Sequence, residues 1–121
     1  MVYINDEVRD QGLDYADTNG TRIDICSSEP ANYAAIAGVT LGNKTGLNTG
    51  ATQDGAVNGR RVIVPAITDG SVTGTGNATH WALSDGAAVL IASGALSASQ
   101  SVTSGNTFTL DAISITIADA A

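Results

Sequence analysis

Hydrophobic and polar residues alternate with a period of two over most of the chain beyond residue 38, as in half-buried β-strands. Pairs such as Asp69-Gly70, Asp85-Gly86 and Gly105-Asn106 interrupt the alternation and predict turns. Short turns of this kind join antiparallel strands, and the clearest hairpin signal is Asp85-Gly86, between two apolar stretches. We predict strands at residues 39–41, 61–67, 78–83, 87–92 and 107–117.

The last predicted strand changes phase partway along its length. Its apolar residues are even-numbered over residues 108–112 and odd-numbered over residues 113–117. A slip of one residue exchanges the two faces of a strand, so we expect a bulge or bend at residues 111–113, where the strand passes from one sheet to another. The fold class predicted is therefore mainly β, as a small antiparallel β-sandwich or a partly closed barrel.

The N-terminal part of the chain has a different pattern. Asn5 can cap a helix over residues 5–17, and the acidic residues that follow it favour the positive end of the helix dipole. Residues 21–26 alternate and predict a half-buried strand. Pro30 then suits the first position of a short helical turn over residues 30–37, which stops at Gly38.

Length and composition indicate one domain, residues 1–121, with an acidic helical segment at 1–20 and a β-rich body at 21–121. Ala, Gly, Ser and Thr make up nearly half of the chain, which leaves enough large apolar residues for one small core. Residues 43–59 are rich in glycine and poor in large side chains, so we expect a long exposed loop there.

The net charge of -7 argues against nucleic acid as a partner, because phosphate binding needs clustered cations. Lys44, Arg60 and Arg61 are the only cations beyond residue 22. The longest apolar run, residues 87–92, is far too short to span a membrane, and the N-terminus is acidic where a signal peptide would be basic. We therefore expect a soluble protein that is made in a cytoplasm, with neither nucleic acid nor membrane as a partner.

The residues that could carry chemistry favour structural interpretations. His80 is the only histidine, lies within a predicted strand, and is accompanied by no Gly-x-Ser-x-Gly nucleophile elbow. Cys26 is the only cysteine and has the position of a small hydrophobic residue in a strand. The sequence also lacks a complete calcium loop or phosphate-binding glycine loop. We expect that the protein is not an enzyme, has no catalytic, cofactor-binding or metal-binding residues, and needs no cofactor.

Several segments together resemble a group of small proteins that are encoded among the virion structural genes of tailed bacteriophages. They are Thr-Arg-Ile-Asp-Ile-Cys at residues 21–26, Gly-Asn-Lys-Thr-Gly at 42–46, Asp-Gly-Ser-Val-Thr at 69–73, Ala-Thr-His-Trp-Ala-Leu-Ser-Asp-Gly at 78–86 and Gly-Asn-Thr-Phe-Thr-Leu at 105–110. These proteins are similar to capsid decoration, or cement, proteins, which bind the outside of an assembled shell. The resemblance implies a virion structural protein on the capsid surface whose partner is the major capsid protein of a tailed phage. A tail, neck or fibre component is the alternative.

Two features of the sequence suggest where such a protein would bind. Val2, Tyr3 and Ile4 are apolar at an otherwise acidic terminus, and exposed apolar groups tend to mark a contact. Arg60 and Arg61 form the single basic pair, which could meet carboxylates of a partner. Because a small domain offers a limited interface, we expect a homo-oligomer, with a trimer favoured, so that several copies bind together.

Overall fold

The computed structural model describes residues 6–55 and 59–117, with side chains from residue 12 onward. Two helices and nine strands occur within these ranges. In chain order they are α1 (Asp6–Asn19), β1 (Arg22–Cys26), α2 (Tyr33–Val39), β2 (Thr40–Lys44), β3 (Gln53–Asp54), β4 (Arg60–Val64), β5 (Ile67–Val72), β6 (Gly76–Ser84), β7 (Leu90–Val102), β8 (Thr107–Leu110) and β9 (Ile113–Ile117).

The strands form two antiparallel sheets. The larger has the order β7-β6-β1-β2-β5-β8 and curls into a half-barrel, and the smaller has the order β3-β4-β9. This arrangement confirms the prediction of a mainly β protein with a partly closed barrel and a short N-terminal helix. The predicted helix at residues 5–17 is present as α1, which ends two residues later.

A two-stranded ribbon connects the two sheets. β8 lies in the larger sheet and β9 in the smaller, so the bend predicted at residues 111–113 is confirmed. The partner strand breaks at the same level: Val64 pairs with Ile113 before the crossing, and Ile67 pairs with Leu110 after it. Pro65 stands in the gap, where it has no backbone N–H to contribute to a ladder. The ribbon therefore bends on both strands at once.

The same crossing corrects two predictions. Residues 61–67, predicted to be one strand, are divided between β4 and β5 because Pro65 interrupts the pairing. Asp69-Gly70, predicted to be a turn between strands, lies inside β5. The pairing of β5 with β8 shifts between Ile67 and Gly70, so this pair forms an irregularity in the ladder rather than a chain reversal.

The hairpin of β6 and β7 is confirmed, but its connection is longer than the two-residue turn predicted. Ser84 pairs with Leu90, which leaves a loop of residues 85–89. The Asp85 carboxylate holds this loop by accepting hydrogen bonds of 2.9, 2.9 and 3.0 Å from the backbone N–H groups of Ala87, Ala88 and Val89. β7 also continues to Val102, well beyond the predicted end at residue 92.

The main core lies inside the half-barrel. Its buried members are Ile23, Ile25, Val64, Ile67, Val72, Ala78, Leu83, Val102, Phe108 and Leu110. Leu13 and Ala16 of α1 pack against Val62 of β4, so this helix covers the inner face of the smaller sheet. Ile115 contacts both groups, which makes the apolar interior continuous.

β1 is buried on both faces, which corrects the half-buried strand predicted for residues 21–26. Ile23 and Ile25 face the main core, while Cys26 packs under Ile36 of α2 together with Ala82. The polar residue of the alternation, Asp24, is fully buried because it has local hydrogen-bond partners. The alternation predicts one exposed face, but α2 covers that face.

The segments on either side of β2 also differ from the predictions. α2 begins at Tyr33 with Asn32 as its N-cap, and it continues through Gly38 to Val39, so Pro30 does not start the helix. The predicted strand at residues 39–41 is present as β2, displaced by one residue and extended to Lys44. Residues 43–59 are not wholly exposed: Thr49 is buried and its hydroxyl bonds to the Asp17 carboxylate at 3.2 Å.

Candidate functional site

The predicted partner-binding residues fall into two groups in the structure. Val2, Tyr3 and Ile4 lie outside the described residues. Arg60 and Arg61 are the first two residues of β4. Successive side chains of a strand point to opposite faces of the sheet, so these two guanidinium groups belong to different surfaces.

Arg60 lies on the face of β4 that α1 covers. It pairs across the strands with Asp54 on one side and Ile117 on the other. Its Nη1 donates to Asp54 Oδ1 at 2.6 Å, and the Arg60 side chain is only 19% exposed while that of Asp54 is 88% exposed. The charge of Arg60 is therefore already compensated within the chain, by a carboxylate that holds β3 against β4.

Arg61 lies on the opposite, outer face of the smaller sheet. Its cross-strand neighbours are Gln53 and Thr116, which are both exposed, and Ile63 follows it on the same face. The Nε atom of Arg61 is buried and has no hydrogen-bond partner. A guanidinium can form a bidentate pair with a carboxylate. Because Arg60 lies on the other face of β4, this outer face offers a partner one arginine rather than two adjacent ones.

A groove of about 450 Å³ opens between β7 and the crossing from β8 to β9. One wall is made by residues 95–100 of β7 and the other by residues 109–113, with Trp81 between them. β7 and β8 are the two edge strands of the larger sheet. The first wall is therefore one edge of this sheet, and the second wall continues from the other edge. The groove is thus the open seam of the half-barrel.

An irregularity in β7 shapes the first wall. His80 pairs with Ala95 and Ala78 pairs with Gln100, so residues 96–99 of β7 stand opposite the single residue Thr79 of β6. The strand therefore has three extra residues at this point, which form a large β-bulge. Leu96 turns toward the main core, while Ser97, Ala98 and Ser99 are exposed at the groove.

One hydrogen bond spans the seam. Gln100 Nε2 donates to the backbone carbonyl of Thr109 at 3.0 Å. The contact is made by a side chain, whereas adjacent strands of a closed barrel would be joined by backbone groups. Below it, the Trp81 indole lies flat against Gly94, where an added Cβ would be 3.0 Å from the ring.

The groove was not predicted from the sequence. The nearest signal is the stretch at residues 97–101, which has small residues apart from Gln100 and no large apolar side chain, yet continues as a strand. Asp111 is the one ionisable residue among those described as lining the groove, and it is exposed. The groove therefore combines an apolar floor, hydroxyl groups and one carboxylate.

The contacts of His80 and Cys26 are those of residues that stabilise the fold. Thr79 Oγ1 donates to the Ser27 carbonyl at 2.9 Å and lies 2.9 Å from His80 Nδ1, so the imidazole helps to hold the chain after β1 against β6. Burial, and then the neighbouring Asp24 carboxylate, raise the pKa of the Cys26 thiol to about 12, which makes its thiolate scarce.

The Asp24 carboxylate is enclosed beneath α2. It accepts from Arg22 Nε at 2.9 Å and Nη2 at 3.1 Å, and the Thr40 hydroxyl donates to it at 2.7 Å. The hydrogen bond to Asp24, opposed in part by burial, raises the pKa of Arg22 above its ordinary value. Both carboxylate oxygens have donors, so we interpret this cluster as a support for β1.

Within residues 6–55 and 59–117, no group of three His, Cys, Asp or Glu residues is arranged to hold a metal ion. The helices in those same ranges include none that is long and apolar enough to cross a membrane.

Comparison with protein families, with characterised proteins and with solved structures finds no match to this chain.

Proposed function

We propose that this chain is a virion structural protein, a capsid decoration protein that binds as a trimer to the outer surface of a tailed-phage shell and stabilises it. It acts by binding, without catalysis or a cofactor, and its partner is the major capsid protein. It is made in the host cytoplasm and resides on the capsid surface. The sequence segments that resemble phage structural proteins support this role, and so does the construction of the β body.

The observation that carries the proposal is that one continuous ribbon of paired strands connects the two sheets of the β body. The ribbon of β4–β5 and β8–β9 runs through both sheets, so displacing one sheet from the other would require breaking its ladder. α1 is packed on β4, and the loop after β2 is held to α1 by Thr49. A protein that reinforces a shell must transmit force without deforming, and a body with several such connections meets that need.

The charge distribution supports the same role. A net charge of -7 keeps decorated particles apart in solution. We assign Arg61, on the outer face of the smaller sheet, and Val2, Tyr3 and Ile4 to the contact with the capsid protein. Arg60 contributes less to this contact because Asp54 already pairs with it.

Reconstituted decoration tests the role and the contact separately. Shells assembled without the protein are mixed with it, and copies bound per shell and the shell melting temperature are measured. We expect symmetric density on the outer shell surface in a low-resolution map of the particle and a higher melting temperature. In a low-resolution map of the complete virion, density confined to the tail or neck would instead establish the alternative role.

The contact residues are tested with variants in the same assay. Removal of residues 1–4 and Arg61→Ala should each lower the occupancy, while Arg60→Ala should lower it less. Lys44→Ala is the matched control, because it removes an exposed cation that pairs with Asp69 on another part of the surface. If the truncated protein and Arg61→Ala both decorate shells fully, the contact lies elsewhere on the molecule.

A further inference from the structure

The open seam of the half-barrel has the features of a site for an added strand. β7 and β8 end the larger sheet, and edge strands present backbone N–H and C=O groups that are available for pairing. Thr109 accepts a hydrogen bond across the seam, and the N–H of a strand residue points to the same side as its C=O. Both backbone groups of Thr109 therefore face the groove.

The Gln100 amide takes the place that a backbone donor would occupy. Direct pairing would set β7 and β8 about 4.8 Å apart, and one added strand between them would need about 9.6 Å. The contact across the seam is instead made by the Gln100 side chain, which donates to the Thr109 carbonyl. Beside it, the bulge at residues 96–99 interrupts the regular pairing of β7 with β6.

The lining of the groove leaves room for a main chain. Ala95, Ser97, Ala98, Ser99 and Ala112 are all small, and the groove volume of about 450 Å³ is within the range of pockets that bind ligands. Trp81 and Leu96 supply an apolar floor for alternate side chains of an extended segment. Such a segment gains affinity from main-chain bonds and specificity from side-chain pockets.

The negative charge of the groove favours a segment that carries a positive charge. Asp111 is the one ionisable group of the described lining, it is exposed, and no side chain of the described residues pairs with it. The chain as a whole is also strongly acidic. A lysine or arginine placed opposite Asp111 would be attracted both by this carboxylate and by the overall field.

We propose that the seam between β7 and the β8–β9 crossing binds an extended, basic segment of a partner protein by strand addition. The segment displaces the Gln100 amide from the Thr109 carbonyl, bonds to the exposed edges, and places a lysine or arginine beside Asp111. This inference goes beyond the capsid role, since it concerns recognition by the groove itself and can be tested without shells.

A library of displayed twelve-residue peptides, selected against the full-length protein, provides the probe. We expect enriched peptides that alternate β-branched or hydroxyl residues with others and contain lysine or arginine. The consensus peptide is then synthesised, together with a second version in which glutamate replaces the basic residue. Hydrogen exchange should slow at residues 95–100 and 109–113 when the consensus peptide is added.

Charge reversal supplies the specific readout. Asp111→Lys should weaken binding of the consensus peptide by about tenfold, and the glutamate version should recover the lost affinity on this variant. Asp14→Lys is the matched control, because Asp14 is exposed on α1 and remote from the groove lining. It should bind the consensus peptide as the unmodified protein does.

Gln100→Ala distinguishes strand addition from a site for a small polar ligand. A peptide backbone replaces the amide, so this variant should bind the consensus peptide at least as tightly. Loss of binding in Gln100→Ala would show that the side chain itself is the ligand contact and would overturn the proposal. Selection of no peptide, exchange protection at another surface, or equal effects of Asp111→Lys and Asp14→Lys would also overturn it.

Discussion

Replacing Gly70 with alanine should destabilise the fold through a single contact in the core. Gly70 of β5 pairs directly with Phe108 of β8, and the phenyl ring lies over the glycine. A Cβ at position 70 would be 2.2 Å from Phe108 Cζ and 2.3 and 2.5 Å from two other ring carbons. Phe108 is only 1% exposed, so its ring cannot move aside without disturbing the core.

The magnitude follows from two opposing effects. Forcing extra volume into a packed core costs about 1–3 kcal/mol. Alanine also restricts the unfolded chain, which stabilises the folded state by about 0.4–1 kcal/mol. Complete expulsion of the ring would cost about 3–5 kcal/mol, which sets the upper limit. We expect Gly70→Ala to lower the free energy of unfolding by about 2 kcal/mol and the melting temperature by about 6–10 °C.

Urea denaturation and thermal melting measure the effect, with Gly38→Ala as the control. Gly38 lies in α2, has no positive φ, and has no atom within 4 Å of an added Cβ. The same substitution there should stabilise the protein by about 0.5–1 kcal/mol, because alanine favours a helix.

A double-mutant cycle identifies the cause. Phe108→Leu removes the ring, so its cost should be smaller in the Gly70→Ala background, with a coupling of about 1 kcal/mol or more. Equal stability of Gly70→Ala and Gly38→Ala, or strict additivity in the cycle, would refute the argument that the ring contact governs this site.

Two further substitutions and one chemical-modification experiment test other contacts. Backbone hydrogen bonds from Val89, Ala88 and Ala87 lower the pKa of Asp85 below 3.8. Its carboxylate therefore stabilises the hairpin at pH values above 3.8 and loses this effect as the pH falls through the lowered pKa. Asp85→Ala should flatten the fall of the urea midpoint in that acidic range, and an equally steep fall in the variant would contradict this. Because burial raises the pKa of Cys26 to about 12, a disulfide reagent at about pH 8 should react only as the protein unfolds, and rapid reaction without denaturant would contradict this. Asp24→Asn should lower the free energy of unfolding by about 2–3 kcal/mol in urea titrations, since it weakens the ion pair between the fully buried Asp24 carboxylate and the partly exposed Arg22 guanidinium. An unchanged midpoint would show that the pair contributes nothing.

The bend of the last strand could be predicted because burial requires it. Phe108 and Leu110 of β8 must face the main core from the larger sheet. The isoleucines of β9 must face α1 and the main core from the smaller sheet. The phase change in the sequence follows directly from that requirement. In the partner strand, Pro65 marks the break between β4 and β5, although the pattern of residues 61–67 predicts one continuous strand.

The groove could not be predicted, since its walls come from residues with little pattern. Residues 93–101 are mostly small, with Leu96 as the one large apolar residue, so the alternation that identifies a strand is missing there. The contact of Gln100 with Thr109 adjoins the short connection between β7 and β8, but no motif in the sequence marks it. The orientations of Arg60 and Arg61, unlike the groove, can be predicted from the sequence. Once β4 is a strand, the two side chains point to opposite faces because of its pleat.

The ribbon between the sheets has a consequence for the order of folding. Its pairs, from Arg60 with Ile117 to Ile67 with Leu110, close loops of roughly 40 to 60 residues, whereas the loop between β6 and β7 has five. The difference in closure entropy is about 2 kcal/mol in favour of the hairpin. We therefore expect the hairpin in the folding transition state and the ribbon afterwards. Ala78→Gly in β6 should slow refolding, whereas Val62→Ala in β4 should mainly accelerate unfolding in stopped-flow measurements.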